Sequence, residues 1–173
     1  MERKSIEIKA TCSDIDKIEQ LLVQMDAEFL GIDHQIDTYY NVPIGRMKLR
    51  EGNIENYLIH YLRNDQEGPK KSFITIFKNT PQSSLKDLLE KALGILTVID
   101  KERKIYFIEN VKFHLDKVKN IGTFIEIEAL DKKDLYQDAD LKKQCEKYMA
   151  LFSVNENDLV SQSYSDLALR KNL

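Results

Sequence analysis

The chain has no tryptophan, and only two cysteines, three prolines and six glycines among its 173 residues. Cys12 and Cys145 supply neither a disulfide framework nor the paired spacing of a structural zinc site. The scarce prolines and glycines form no linker, low-complexity tract or repeat, so residues 1–173 read as one domain, long enough to bury a real core. No apolar run reaches the roughly 20 residues of a membrane-spanning helix. The N-terminal Met-Glu-Arg-Lys leads straight into a strand pattern instead of a signal-peptide hydrophobic stretch, so a cytoplasmic location is the expectation. There is no Gly-x-x-x-x-Gly-Lys loop and no dinucleotide glycine pattern, so any phosphate has to be held by side chains. A net charge of −3 argues against a general nucleic-acid coat, and no membrane partner is expected.

What is present is alternation. With the two-residue period of a strand, Ile6, Ile8 and Ala10 share one face, and Glu7 and Lys9 the other. Met47 and Leu49 stand against Lys48 and Arg50. Val111, Phe113 and Leu115 stand against Lys112, His114 and Asp116, and Ile125, Ile127 and Ala129 against Phe124, Glu126 and Glu128. An ordinary surface strand alternates too, but its polar face mixes in Ser, Thr, Asn and Gln. Here that face is almost purely ionic.

Strands are predicted near 47–51, 56–63, 72–78, 98–108, 111–118 and 121–130, besides the first one. Ser13 is placed to cap a helix with the stripe Ile15, Ile18, Leu21, Leu22 and Met25. A second helix carries Leu85, Leu88, Leu89, Ala92 and Leu93 and stops at Gly94; a third runs from about 132 to 152 with Leu135, Leu141, Cys145, Tyr148 and Met149. The stretch before Asp37 carries no assignment. Lys70 and Lys71 read as loop residues. This is an α+β domain dominated by antiparallel pairing. If the helices cover the apolar strand faces, the charges point into a barrel, the inverse of the usual apolar interior.

The inward candidates are then seven cations, Lys9, Lys48, Arg50, Arg63, Lys101, Arg103 and Lys112, against four anions, Glu7, Asp116, Glu126 and Glu128. A buried cationic surplus would cost several kcal/mol per unpaired group. A polyphosphate with a divalent metal resolves it, since Arg and Lys grip phosphate oxygens and carboxylates give hard ligands to Mg²⁺ or Mn²⁺. The alternative is a set of solvated outer faces.

Seven stretches in order resemble one family: Ile6-Glu-Ile-Lys9, Met47-Lys-Leu-Arg50, Tyr61-Leu-Arg63, Val98-Ile-Asp-Lys-Glu-Arg103, His114-Leu-Asp116, Gly122-Thr-Phe-Ile-Glu-Ile-Glu128 and Ser163-Tyr-Ser-Asp166. They are similar to the CYTH superfamily, closest to its class IV (CyaB-type) adenylyl cyclases. The resemblance implies an eight-stranded antiparallel closed barrel, a triphosphate tunnel with a charged interior and helices outside. It implies Glu7 and Glu126 as metal ligands with Glu128 as a further one, and Asp116 near metal and substrate. It implies Lys9, Arg50, Arg63, Lys101 and Arg103 as phosphate-gripping cations, to which the inward pattern adds Lys48 and Lys112. Lys9, Arg63 and Asp116 are assigned the catalytic role. The family's first motif is Glu-x-Glu-x-Lys, and this chain has Ser5 where the first Glu belongs.

His114 reads as a structural hydrogen-bonding residue or a base, and Tyr164 as a closure of one tunnel end or an anchor for the tail. The function expected is a Mg²⁺- or Mn²⁺-dependent enzyme converting ATP to cyclic AMP and pyrophosphate, with an inorganic or organic (thiamine-type) triphosphatase as the alternative. A non-catalytic triphosphate sensor, motivated by Ser5, and a protein-interaction module are the readings from other classes. The partner is a small-molecule triphosphate, and a homodimer is left open.

Overall fold

The structure is a computed structural model that describes residues 2–63, 69–80, 83–131 and 135–171, with only the backbone for residues 2, 3, 63 and 70–73. Eight strands, β1 (Glu2–Thr11), β2 (Glu28–Tyr40), β3 (Arg46–Glu51), β4 (Tyr57–Arg63), β5 (Lys70–Lys78), β6 (Ile95–Ile108), β7 (Val111–Val118) and β8 (Gly122–Leu130), pair antiparallel throughout. The order β1-β5-β4-β3-β2-β6-β7-β8 closes on itself, because β1 pairs with both β5 and β8. Closure leaves no open sheet edge. Among the described residues four α-helices lie outside: α1 (Ile15–Gln24), α2 (Leu85–Leu93), α3 (Asp138–Leu151) and α4 (Tyr164–Arg170).

The apolar strand faces look outward, as the alternation predicts. Ile6, Ile8 and Ala10 of β1, Phe113 and Leu115 of β7, and Ile125, Ile127 and Ala129 of β8 form one cluster with Ile18 and Leu22 of α1 and Leu141, Cys145 and Tyr148 of α3. Helix α2 covers a second patch, setting Leu89 against Tyr40 and Leu49. The core thus lies between barrel and helices, and burial of about 1.5–3 kcal/mol per large apolar side chain drives the helices onto it. The barrel interior is left to the other face.

Several boundaries differ from the sequence reading. Helix α1 is capped by Asp14, whose carboxylate accepts from the Lys17 amide; Ser13 is not the cap. Helix α3 begins at Asp138, where the Gln137 and Asp140 side chains form a capping box, and Leu135 stands exposed ahead of it. Leu88, assigned to the α2 stripe, is exposed as well. Lys70 and Lys71 belong to β5, with Lys70 opposite Glu7. Strand β2 is not among the strands that the alternation predicts; it pairs with β6 along most of its length.

Candidate active site

The strand period sets the site. Because Glu7 and Lys9 alternate with the buried outward face of β1, they point into the barrel, and the same holds for Lys48 and Arg50 of β3, Lys101 and Arg103 of β6, Lys112, His114 and Asp116 of β7, and Glu126 and Glu128 of β8. A cavity of about 130 Å³ lies among them, with Glu7, Lys9, Lys48, Arg50, Arg103, Lys112, His114, Glu126 and Glu128 in its lining. Lys101 and Asp116 are not in that lining and are buried in ion pairs. The Arg63 side chain lies outside the described residues.

Two ion-pair clusters organise the interior. In the first, Asp37 of β2 accepts from Arg50 Nε (2.8 Å) and Nη2 (2.9 Å), Lys48 Nζ (2.9 Å) and Lys101 Nζ (2.7 Å). Glu55, in the turn after β3, extends it by accepting from Arg50 Nη1 (2.7 Å), Lys112 Nζ (2.5 Å) and Gln35 Nε2 (3.1 Å). Asp33 fixes that turn by accepting from the Ile54 and Glu55 amides. In the second cluster, Arg103 donates to Asp116 through Nε (2.6 Å) and Nη2 (2.5 Å), and to Glu126 through Nη2 (2.8 Å). Lys9 Nζ lies 3.2 Å from Glu126 Oε1 and 3.9 Å from the centre of the Tyr164 ring. The Tyr164 hydroxyl donates to Asp116 at 2.6 Å, so α4 stoppers this side of the barrel. Ser163 caps α4, and Asp166 receives Arg46 at 3.0 Å.

The electrostatics follow from this pairing. Burial opposes ionisation of Asp37, yet Arg50, Lys101 and Lys48 together hold its carboxyl well below the usual range. Glu55 is held low against burial by Lys112 and Arg50, and Glu126 by Arg103 and Lys9. Lys101 goes the other way. Burial, with Arg50, Arg103 and Lys48 nearby, pushes its ammonium down to about 7 against the pull of Asp37. Burial and the neighbouring Arg103 and Lys112 lower His114 to about 3. Its Nδ1 lies 3.0 Å from Glu126 Oε2, an oxygen that can only accept, so Nδ1 carries the proton. Nε2 is buried with no partner among the described residues.

This corrects the predicted cationic surplus. Among the described side chains, six of the predicted cations, Lys9, Lys48, Arg50, Lys101, Arg103 and Lys112, meet seven carboxylates, because Asp33, Asp37 and Glu55 join Glu7, Asp116, Glu126 and Glu128. Asp33 and Asp37 were legible in principle, alternating on one face of a strand with Gln35 and Tyr39. Glu55 sits in a turn and has no periodic signal.

The carboxylates predicted for metal lie on adjoining strands. Glu7 and Glu128 are register partners across β1 and β8, and Glu126 is two residues along the same face, opposite Lys9. Among the described residues no three Asp, Glu, His or Cys side chains converge into a metal-binding group. Facing carboxylates with hard oxygens still suit Mg²⁺, which takes one or two of them together with waters and substrate phosphates. Ser5, where the family motif has its first Glu, is wholly buried, and its Oγ has no partner among the described residues.

The CYTH domain family model matches residues 3–164. A protein of Methanocaldococcus jannaschii named as a candidate adenylate cyclase is 25% identical over 94% of this chain and 97% of its own. The solved structure of the PH1012 protein of Pyrococcus horikoshii superposes with a TM-score of 0.80 at 22% identity, covering 94% of this chain and 98% of that one. The Hippeastrum protein HpAC1, described as a candidate adenylyl cyclase with a dominant triphosphatase activity, superposes with a TM-score of 0.63 at 11% identity, covering 98% and 96%. Among the described residues no helix is long and apolar enough to cross a membrane.

Proposed function

The chain belongs to the CYTH domain family, and from that premise we propose that it is a divalent-metal-dependent enzyme that converts a nucleoside triphosphate inside its barrel, cyclising ATP to cyclic AMP and pyrophosphate. The observation that carries this reading is the concentration of Lys9, Lys48, Arg50, Arg103 and Lys112 around one cavity together with the carboxylates Glu7, Glu126 and Glu128. The cytoplasm, where ATP and Mg²⁺ are abundant, is the matching location.

Within the barrel the cations are paired with protein carboxylates, and a cavity of about 130 Å³ is small beside the ~300–1,000 Å³ of ordinary ligand pockets. Entry of a triphosphate therefore exchanges partners. Phosphate oxygens take over from Asp37, Glu55 and Glu126 as acceptors for Lys48, Arg50, Lys112, Lys9 and Arg103, and the ion pairs open to make room. Charge-assisted hydrogen bonds from Arg are forked and fix phosphate orientation as well as charge. A phosphate close to Lys101 favours its protonated form and so adds a cation where negative charge accumulates.

Glu7 and Glu128 are the residues to hold the metal, with Glu126 joining once its basic partners turn to phosphate. Bound there, the metal would neutralise phosphate charge and orient the oxygens for in-line displacement. Asp116, held by Arg103 and Tyr164, positions Arg103 beside the metal-binding carboxylates. Cyclisation needs the ribose 3′-oxygen in line with the α-phosphorus, whereas hydrolysis needs a water aimed at the γ-phosphorus. The triphosphatase activity described for HpAC1 keeps hydrolysis as the second reading. Incubating the protein with ATP and Mg²⁺ or Mn²⁺ and separating cyclic AMP, pyrophosphate, ADP and phosphate distinguishes them. Cyclic AMP with pyrophosphate supports the cyclase, and ADP with phosphate the triphosphatase. No product with any metal, despite tight binding, would leave a sensor.

A further inference from the structure

We infer that Glu55 is a tethered competitor built into the barrel, a carboxylate that holds Arg50 and Lys112 as a phosphate group would and drives short anions such as pyrophosphate off them after turnover. This rests on the triphosphate reading above and adds to it a residue that controls release.

Six of the seven inward carboxylates among the described side chains stand on strands; Glu55 alone comes from a turn, residues 52–56 between β3 and β4. Carboxylates on connecting turns ordinarily face water. This one is 8% exposed, lines the cavity, and bridges Arg50 Nη1 (2.7 Å) and Lys112 Nζ (2.5 Å). Those cations stand on β3 and β7, three places apart in the barrel order. Two oxygens so placed take the charge-assisted hydrogen bonds that a phosphate group would take.

The turn is built to keep Glu55 there. Asp33, wholly buried, accepts from the Ile54 and Glu55 amides (2.8 and 3.0 Å) and from Gln35 Nε2 (2.7 Å), and pairs with no cation among the described residues. Asn56 closes the turn on Gly52, donating to its carbonyl at 2.7 Å and accepting from its amide at 3.3 Å. A Cβ at position 52 would lie 2.6 Å from Asp33 Oδ1, so the close approach requires glycine. None of these contacts uses a phosphate-gripping cation, so they persist when Arg50 and Lys112 turn to a ligand. The displaced carboxylate therefore stays within side-chain reach and competes at the effective concentration of a tethered group. A triphosphate that also reaches Lys9, Lys48 and Arg103 withstands that competition. Pyrophosphate, with fewer contacts, does not.

The pairing makes the role separable from a structural one. Arg50 keeps Asp37 on Nε and Nη2, whereas Glu55 is the carboxylate partner of Lys112 among the described residues. Removing the Glu55 charge strands Lys112 and weakens the fold, yet frees both cations for phosphate. A residue serving the fold alone would lower stability and affinity together.

The test is calorimetric binding of ATP and pyrophosphate to the full chain in EDTA, where a metal-dependent reaction does not run, with urea unfolding of the same proteins. Glu55→Gln should bind pyrophosphate about tenfold tighter than the parent and unfold at lower urea. Glu128 lines the same cavity but accepts from neither Arg50 nor Lys112, so Glu128→Gln, removing the same charge, should change pyrophosphate affinity by about twofold or less. Should Glu55→Gln fail to fold by circular dichroism, Glu55→Asp, whose carboxylate is one methylene shorter, should bind pyrophosphate severalfold tighter. Unchanged or weaker pyrophosphate binding in the Glu55 variant, or equal tightening in Glu128→Gln, would overturn this inference and leave the triphosphate reading standing. Binding of neither ligand by the parent, with or without Mg²⁺, would remove the triphosphate reading and this inference together.

Discussion

Asp37 Oδ2 and Lys101 Nζ meet at 2.7 Å, and both side chains are wholly buried. They come from neighbouring strands, β2 and β6, and neither has an alternative in water. Lys101 has Asp37 as its ion-pair partner, while Asp37 also holds Lys48 and Arg50. The pair is therefore asymmetric: the carboxylate is the hub and the ammonium one spoke.

From that asymmetry, Asp37→Asn should cost about 3–5 kcal/mol of unfolding free energy, the range for stranding buried charge. Lys101→Ala should cost clearly less, because Asp37 keeps two cations. Urea unfolding of both variants at pH 7 decides it. Equal losses would contradict the hub.

Arg103 carries a comparable load in the second cluster, holding Asp116 and Glu126 at once. Arg103→Ala should weaken triphosphate binding and also destabilise the empty protein by about 3–5 kcal/mol, since two buried carboxylates lose their shared partner. Arg103→Lys should recover little of either, because an ammonium cannot reproduce the fork. Full rescue by lysine would show that the charge alone matters.

Acid should destabilise the fold in two stages of the same sign. The folded pKa of His114 is lowered to about 3 by burial, so the unfolded chain binds the proton first, and stability present above the unfolded value near 6.5 is lost as pH falls through it toward 3. Asp37 and Glu55 are depressed against their unfolded values, so their contribution is present above about pH 4 and lost below it. His114→Gln should flatten the decline between about pH 6.5 and 4 and leave the lower part. Unfolding free energies at several pH values check this. Parallel profiles for parent and variant would count against a neutral His114.

Triphosphates should raise the melting temperature more than monophosphates, in proportion to their affinity for the folded state. Glu128→Gln should remove the extra stabilisation that Mg²⁺ adds to bound triphosphate, while the metal-free shift largely remains. Thermal scans with AMP, ATP and tripolyphosphate, with and without Mg²⁺, are the measurement. Equal shifts for AMP and ATP, or a full Mg²⁺ increment in the variant, would run against the site described.

How far the sequence could be read depended on how local each signal is. The alternation in β1, β3, β7 and β8 was visible because a strand's two faces repeat every second residue whatever surrounds it. It assigned Lys9, Lys48, Arg50, Lys112 and Asp116 to one face before any pairing was known. The inner face of β2 alternates too, but with Asp33, Gln35, Asp37 and Tyr39 it breaks the ionic pattern and contains no cation. Helix α4 has only seven residues, too short for a periodic stripe; the Ser163–Asp166 motif pointed to Tyr164 as a tunnel closure or tail anchor, but its bond to Asp116 is a contact between distant segments that no local pattern carries. Leu135 and Leu88 show the reverse, apolar residues at helical spacing that the tertiary structure leaves exposed.

The sequence by itself determined which side chains share a strand face, and hence that ionic groups would stand opposite the core and that helices would cover the apolar side. Only the tertiary structure decided that β1 closes on both β5 and β8, that Asp37 gathers three cations from β3 and β6, that the turn carrying Glu55 reaches Lys112, and that β4 and β5 turn Ile59, Tyr61, Ile74 and Ile76 toward the cavity. The physical reason is range. Facing is fixed by backbone geometry within a few residues, whereas charge balance and cavity chemistry depend on which distant strands become neighbours.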